Sequence, residues 1–168
     1  MRKIILSVLF VCAALMVSAQ DLRLPTVLGS GMVLQQNENV KIWGWSKPSA
    51  KISVEAQWLD KAVETNADVD GKWIVTIPTP AASYNNYTLS ISDGKKEINL
   101  VDVLIGEVWL CSGQSNMAWK TELCLDLKEE MEDAANVGKH VRLFTTGRIR
   151  SDKPEVDVPE AKWTGCTP

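Results

Sequence analysis

The stretch that decides the fold is 102–119, which reads Asp-Val-Leu-Ile-Gly-Glu-Val-Trp-Leu-Cys-Ser-Gly-Gln-Ser-Asn-Met-Ala-Trp. Residues 103–110 are mostly apolar without strict alternation, which is typical of a strand buried on both faces of a parallel sheet. The run stops at Ser112-Gly113, and a helical pattern begins a few residues later. Ser115 is therefore predicted where a strand turns into a helix. Its hydroxyl is there either an N-cap or a group suited to an anionic intermediate, beside unpaired N–H groups.

The chain after this stretch predicts one helix and one strand. Apolar residues recur at three- and four-residue spacing through 121–137, and Asn136-Val137-Gly138 is a helix stop signal. Residues 141–145 read as a strand, so an α/β unit begins here. His140, the only histidine, is predicted in an exposed loop just before that strand. The polar tail from Thr146, with prolines at 154, 159 and 168, is predicted to be a loop.

Before the central stretch, residues 22–100 predict short strands separated by turns. Strand-like runs lie at 40–45, 51–58, 72–77, 87–92 and 95–100, with hairpin signals at Asp70-Gly71 and Asp93-Gly94. This spacing favours a small antiparallel β-sandwich, with the strand at 103–110 outside it. The predicted fold class is thus mixed, a β-sandwich followed by the beginning of an α/β domain.

The tryptophans of this region allow two interpretations. Trp43, Trp45, Trp58 and Trp73 either form an exposed platform that stacks on sugars or pack in the core. Each lies on a strand face that repeats apolar residues, which favours the core, with Trp43 or Trp45 largely buried. Asn86-Tyr87-Thr88 is a formal glycosylation sequon.

The first nineteen residues have the pattern of a cleavable signal peptide. Met1-Arg2-Lys3 is followed by the apolar run 4–17, and Val17-Ser18-Ala19 fits a cleavage site. A secreted or periplasmic protein is predicted, with no membrane segment because the apolar run is short for a span. Without the peptide, sixteen basic residues face twenty-one acidic ones, a net charge of −5. This balance does not attract nucleic acid or an anionic membrane surface.

Cysteine usage excludes a disulfide scaffold. Beyond the peptide, Cys111, Cys124 and Cys166 allow at most one bridge. Cys111 ends the predicted buried strand and is expected to be reduced and buried, so that any bridge joins Cys124 to Cys166. No Cys/His cluster has the spacing of metal ligands, and neither a metal nor a cofactor is predicted.

Four segments together resemble the sialate O-acetylesterases, a branch of the SGNH (GDSL-like) hydrolases. The block 106–117, Gly-Glu-Val-Trp-Leu-Cys-Ser-Gly-Gln-Ser-Asn-Met, is similar to the nucleophile segment of that family. The strings Gly-Met-Val-Leu-Gln-Gln (31–36) and Val-Lys-Ile-Trp-Gly-Trp (40–45) resemble its N-terminal β-domain. Val-Arg-Leu-Phe (141–144) resembles the strand after its first helix. The similarity runs from about Leu22 to the last residue.

The resemblance implies a serine esterase that removes acetyl groups from sialic acid or other acetylated sugars. Ser115 corresponds to the nucleophile and its backbone N–H to one oxyanion donor, while Gln114 and Asn116 are expected to contact the substrate. The family's other oxyanion donors and an Asp-x-x-His motif come from segments further along. His140 does not fit that motif, because Val137 stands three residues before it. The family also often has an acidic residue and a proline where this chain has Ala-Trp-Lys-Thr at 118–121.

These observations predict three parts: a signal peptide (1–19), a β-sandwich domain (20–100) and the truncated start of an SGNH-like catalytic domain (101–168). On this interpretation the chain is an N-terminal piece of an esterase and is inactive alone. The alternative is a secreted carbohydrate-binding β-sandwich module without catalysis.

Overall fold

The computed structural model describes residues 21–123, 125–147, 149–158 and 160–167; the predicted signal peptide lies outside these ranges. The described part is mostly strands, with one α-helix and three short 3₁₀ turns. The strands are β1 Val33–Gln35, β2 Asn39–Trp45, β3 Lys51–Ala56, β4 Val63–Asn66, β5 Lys72–Pro78, β6 Ser83–Ser92, β7 Glu97–Gly106, β8 Arg142–Phe144 and β9 Trp163–Gly165. The helix α1 is Leu127–Val137, and the 3₁₀ turns are Ser115–Ala118, Thr121–Leu123 and Gly138–His140.

Two sheets formed by β1 to β7 enclose one hydrophobic core. A five-stranded sheet has the order β1-β7-β6-β3-β4, antiparallel except for the parallel β1–β7 pair, and β2 pairs with β5 in a second sheet. Alternate residues of β5 point inward, namely Trp73, Val75 and Ile77. They pack in the same buried cluster as residues of the five-stranded sheet such as Ile52 and Leu89. Period-two alternation therefore identified these strands correctly.

The two predicted turns connect strands in different ways. Asp93-Gly94 closes a true hairpin, because Ser92 of β6 is opposite Glu97 of β7 and Gly94 has φ +79°. Gly71 also has positive φ, and the Asp68 carboxylate accepts hydrogen bonds from the Asp70 and Lys72 N–H groups. However, β4 pairs with β3 while β5 pairs with β2, so this turn carries the chain between the two sheets. The turn at Asp70-Gly71 is present, but the prediction that it closes a hairpin was wrong.

Core packing is confirmed for two of the four tryptophans, Trp45 and Trp73. Trp45 is 7% exposed and Trp73 is 3% exposed. The Arg23 guanidinium lies 3.7 Å above the Trp45 ring, a cation–π contact that covers the outer face. Trp58 is half-buried and donates its indole N–H to the Pro78 carbonyl at 2.8 Å. These contacts disfavour a flat exposed platform built from these rings.

The position of the apolar run 103–110 corrects the sequence analysis. Residues 103–105 are buried, as predicted, but they belong to β7 and pair with β1 on one edge and β6 on the other. The run therefore completes the first sheet, and the strand expected outside the β-rich part was wrong. Asp102, with φ +58°, lies in β7 just before this apolar end, where the register with β6 shifts between the Leu89–Leu100 and Tyr87–Val103 pairs. After Gly106 the chain leaves the sheet, and residues 107–114 have no regular structure.

The segment after Gly138 also differs from its prediction. α1 ends at Val137 with Gly138 as its C-cap, as the stop signal indicated, but it begins only at Leu127. The strand predicted at 141–145 is present as β8, whereas the tail, predicted as loop, contains β9. β9 pairs antiparallel with β8, and the ring of Trp163 packs 5.2 Å from that of Phe144. The sequence around β9 is polar and rich in proline, so no apolar run marked this strand.

Polar contacts dock this C-terminal segment onto the β-rich part. Trp163 donates its indole N–H to the Val27 carbonyl at 2.8 Å. The backbone N–H and the hydroxyl of Thr26 both donate to one oxygen of Asp157 at 2.8 Å. Partial burial raises the pKa of Asp157, but the bonds from Thr26 and Val158 outweigh it and hold the pKa below its ordinary value.

We expect this docking to weaken in acid. Because the folded-state pKa of Asp157 is depressed, its contribution is present above the unfolded pKa of about 3.9 and is lost as the pH falls through the lower folded value. Hydrogen exchange of the Thr26 amide, expressed as a protection factor, measures this directly. The protection should fall between pH 5 and pH 2, about the range over which such a group titrates. Asp157→Asn should lower it at neutral pH to about the level that the parent reaches in acid and remove its pH dependence, whereas Asp152→Asn, in the same tail, should change nothing.

Candidate active site

Ser115 is the first residue of a 3₁₀ turn, nine positions beyond the end of β7. The N-cap of that turn is Gln114, and no side chain caps it. The interpretation of Ser115 as an N-cap is therefore excluded. The expected strand-to-helix junction is also wrong in detail, because an irregular segment separates β7 from Ser115 and α1 begins only at Leu127.

The side chains around Ser115 are open to solvent. Gln114, Ser115 and Asn116 are all exposed, and within the described residues the Ser115 hydroxyl has no hydrogen-bond partner. The Met117 N–H donates to the Gln114 carbonyl at 3.0 Å, which closes the turn. The Met117 side chain folds back on Gly113, where an added Cβ would lie 2.9 Å from its Cγ. The local chain thus presents the hydroxyl, but nothing described here activates it as a nucleophile.

A carboxylate and two amides hold the chain where it leaves β7; we call Glu107, Gln35 and Gln36 the Glu107 clamp. The amide nitrogens of Gln35 and Gln36 donate to the two oxygens of Glu107 at 3.0 and 2.6 Å. These bonds hold the pKa of Glu107 below its ordinary value. The Gln35 side-chain oxygen accepts the Val108 N–H at 2.9 Å, and that of Gln36 accepts the Ala82 N–H at 2.9 Å.

Sequence reasoning missed the clamp. The glutamines lie about seventy residues before Glu107, and no spacing rule links the two segments. Only the parallel pairing of β1 with β7, which places Gln35 opposite Gly106, brings them together. A pair of glutamines at the end of a short strand is the one signal that the sequence offers.

His140 is not the exposed loop residue that was expected. It ends the 3₁₀ turn Gly138–His140, is half-buried, and its ring lies 4.1 Å from that of Tyr84 on β6. This contact explains the burial, since Tyr84 covers one face of the imidazole. The expectation that His140 lies far from Ser115 stays a prediction.

An ion pair fixes β8 beside the exit of β7. Both carboxylate oxygens of Asp102 accept from one guanidinium nitrogen of Arg142, at 3.0 and 3.2 Å, and the Arg142 side chain is only 9% exposed. Arg142 also donates to the Lys139 carbonyl. The chain between Asp102 and Arg142, which contains Ser115, is thereby closed into a loop at its two ends.

The cysteine predictions are corrected by the structure. Cys111 is reduced but exposed, because residues 107–114 leave the sheet instead of continuing the strand. Cys166 is also a free thiol, so the one bridge that the sequence analysis allowed, between Cys124 and Cys166, is not formed; Cys124 itself lies outside the described residues. The backbone explains the position of Cys166, since its N–H donates to the Val141 carbonyl and its own carbonyl packs against Gly138.

The described ranges contain neither a group of metal-binding side chains nor a helix that could span a membrane. No group of three His, Cys, Asp or Glu side chains within these ranges is arranged to hold a metal ion. No helix in the part of the chain that the structure describes is long and apolar enough to cross a membrane.

Comparison with known proteins connects this geometry to esterases. The mouse sialate O-acetylesterase is 28% identical over 156 residues, which are 87% of this chain and 28% of that protein. The human enzyme is 27% identical over 146 residues, 81% of this chain and 27% of its own length. The crystal structure of a carbohydrate acetylesterase from Xanthomonas citri superposes with a TM-score of 0.78 at 32% identity, covering 87% of this chain and 33% of that one. Over most of its length the chain is thus similar to sialate O-acetylesterases and to a carbohydrate acetylesterase.

The proteins that the chain resembles are much longer than the chain itself. It spans between a quarter and a third of the length of the esterases that it matches. No protein-family model matches it. A mixed, mostly β structure for this region is consistent with the likeness to the Xanthomonas enzyme. The relatives named above are, by name, a sialate O-acetylesterase and a carbohydrate acetylesterase.

Proposed function

We propose that this chain is the N-terminal part of a serine esterase that removes O-acetyl groups from sialic acid or related acetylated sugars. The observation that carries the proposal is the similarity, across most of the chain, to enzymes named for this chemistry. The block 106–117, which resembles the family's nucleophile segment, lies inside the matched length. Ser115 is assigned the nucleophile, with Gln114 and Asn116 as contacts to the substrate.

The proposed chemistry is acyl transfer through an acetyl-enzyme. The Ser115 oxygen attacks the acetyl carbonyl, the sugar hydroxyl leaves, and water then releases acetate from the serine. A serine hydroxyl needs a base to take its proton and donors to hold the oxyanion. Its own backbone N–H is one such donor. The base and the remaining donors are assigned to chain beyond residue 168, by the family resemblance.

The exposed apolar residues around Ser115 support the proposal that further protein completes the active site. Trp109 is 82% exposed and Leu110 is 96% exposed, and Trp119, Leu123 and Leu125 are also open. Exposed apolar groups in such number within one short segment normally mark a surface that other protein covers. We therefore propose that the chain after β7 begins a larger catalytic domain of SGNH type, preceded by a β-domain that includes β7. The end of β7 remains physically part of the first sheet.

The alternative of a carbohydrate-binding module receives less support. It required an aromatic platform on the β-sheets, but Trp45 and Trp73 are buried in the core. We also propose that the protein is secreted or periplasmic, because residues 1–19 have the pattern of a signal peptide. It predicts an acetylated sugar as the partner and neither nucleic acid nor membrane.

Acetate release from O-acetylated sialic acid tests the proposal. A chain extended to the length of its relatives should release acetate from this substrate and from acetylated monosaccharides. Residues 20–168 alone should release almost none. Tight binding of the sugars by residues 20–168, with no hydrolysis by the extended chain, would instead support the binding module.

A further inference from the structure

We propose that the Glu107 clamp positions Ser115 for attack, by fixing the direction in which the chain leaves β7. The inference rests on the proposed function and assigns a positioning role to residues that do not touch the substrate. Among the described residues, 107–113 form hydrogen bonds only through Glu107 and Val108. The described hydrogen bonds that orient the segment between the sheet and the serine are therefore confined to its first two residues.

The clamp fixes both the main chain and a side chain of the exit segment. Gln35 holds the Val108 N–H with its oxygen and one Glu107 oxygen with its nitrogen. Gln36 holds the other Glu107 oxygen and, on its far side, the Ala82 N–H between β5 and β6. The exit is thus tied to two separate loops, which restricts rotation about β7 more than a single bond would.

The orientation of each amide is set by its partners. Because each glutamine oxygen faces a backbone N–H, each glutamine nitrogen must face Glu107. A carboxylate accepts from both nitrogens without conflict, and bonds to a charged acceptor are the stronger kind. An amide at position 107 would accept from one glutamine while turning its own nitrogen toward the other. The arrangement therefore requires one carboxylate and two amides.

Catalysis is sensitive to a placement of this kind. A displacement of about 1 Å in a reacting group can reduce the rate by about 10²-fold. In the extended chain, Glu107→Gln should lower kcat for acetate release by about 10- to 100-fold with KM changed by no more than about twofold. Gln36→Glu should do the same or more, because two carboxylates then face each other.

Exchanging the carboxylate of Glu107 with the amide of Gln36 distinguishes a positioning role from a simple loss of structure. In the double variant Glu107→Gln with Gln36→Glu, the carboxylate at 36 accepts from the Ala82 N–H and from the amide at 107, whose oxygen accepts from Gln35. We expect kcat to return to within about threefold of the parent, a non-additivity that neighbouring residues in one network show. The matched control is Glu97→Gln, an exposed carboxylate on the same strand, which should leave kcat unchanged.

A second measurement separates this proposal from the proposed function. In residues 20–168, Glu107→Ala and Gln35→Ala should accelerate hydrogen exchange of the Val108 amide by about tenfold or more. If the extended chain is active but the single variants leave its kcat unchanged, the positioning role alone is wrong. The same holds if the single variants lower kcat and the double variant does not restore it. An extended chain without esterase activity overturns the proposed function and the positioning role with it, even where Val108 exchange confirms the clamp contacts.

Discussion

Ser115→Ala is expected to lower kcat/KM for acetyl ester hydrolysis by about 10⁴-fold or more in a chain extended to the length of its relatives. Alanine removes the oxygen that forms the acetyl-enzyme, and no neighbouring group can replace it in the same position. The measurement is acetate release at matched enzyme concentrations. The free energy of unfolding should be nearly unchanged, because the Ser115 hydroxyl is exposed and has no described partner.

Ser112→Ala is the matched control for this substitution. Ser112 is an exposed serine three positions earlier in the same irregular segment, so it tests whether any loss of a hydroxyl there reduces activity. We expect it to retain full activity. His140→Ala should also retain activity, since His140 packs against Tyr84 and does not fit the family motif. If His140→Ala abolished turnover by residues 20–168, both the assignment of the base and the interpretation as a fragment would be wrong.

Gly44→Ala is expected to have the largest effect on folding, about 3 kcal/mol or more off the free energy of unfolding. Gly44 is buried in β2 where Arg23 pairs with Trp45, and a Cβ there would overlap the Arg23 carbonyl oxygen. It would also lie 2.8 Å from Cζ2 of the buried Trp73 ring. Neither neighbour can move cheaply, since one is backbone and the other fills the core. Urea unfolding followed by circular dichroism measures the change.

Gly165→Ala is the appropriate control, because it places the same methyl group on a strand with no atom within 4 Å. Its free energy of unfolding should change by less than about 0.5 kcal/mol, as for most surface substitutions. Equal destabilisation by the two variants would mean that the loss at Gly44 reflects backbone conformation and not the crowded contact with Arg23 and Trp73.

Much of the fold could be predicted from the sequence where alternation and turns were strong. β2, β3, β5 and the β6–β7 hairpin follow directly from period-two patterns and from Asp93-Gly94. The apolar run 103–110 was assigned to the wrong sheet, because a pattern of burial on both faces does not indicate which strands lie beside it. Its first part is covered by β1 and β6, and its second part, with Trp109 and Leu110, is exposed.

The candidate site was only partly accessible to the same reasoning. A family-like block identified Ser115, but no local pattern could show that an irregular segment precedes it. The Glu107 clamp and the Asp102–Arg142 ion pair join residues 40 to 72 positions apart, so they depend on strand pairing that a linear pattern does not contain. Cys111 shows the same limit, since its predicted burial followed from extending the strand four residues too far.

Labelling with a fluorophosphonate, followed by peptide mapping, tests the central claim most directly. The reagent forms a bond only with an activated serine. In the extended chain we predict one label, on Ser115, which is lost in Ser115→Ala and retained in Ser112→Ala; residues 20–168 should remain almost unlabelled. A label on another serine, or acetyl ester hydrolysis at the parental rate by Ser115→Ala, would contradict the assignment of Ser115 as the nucleophile.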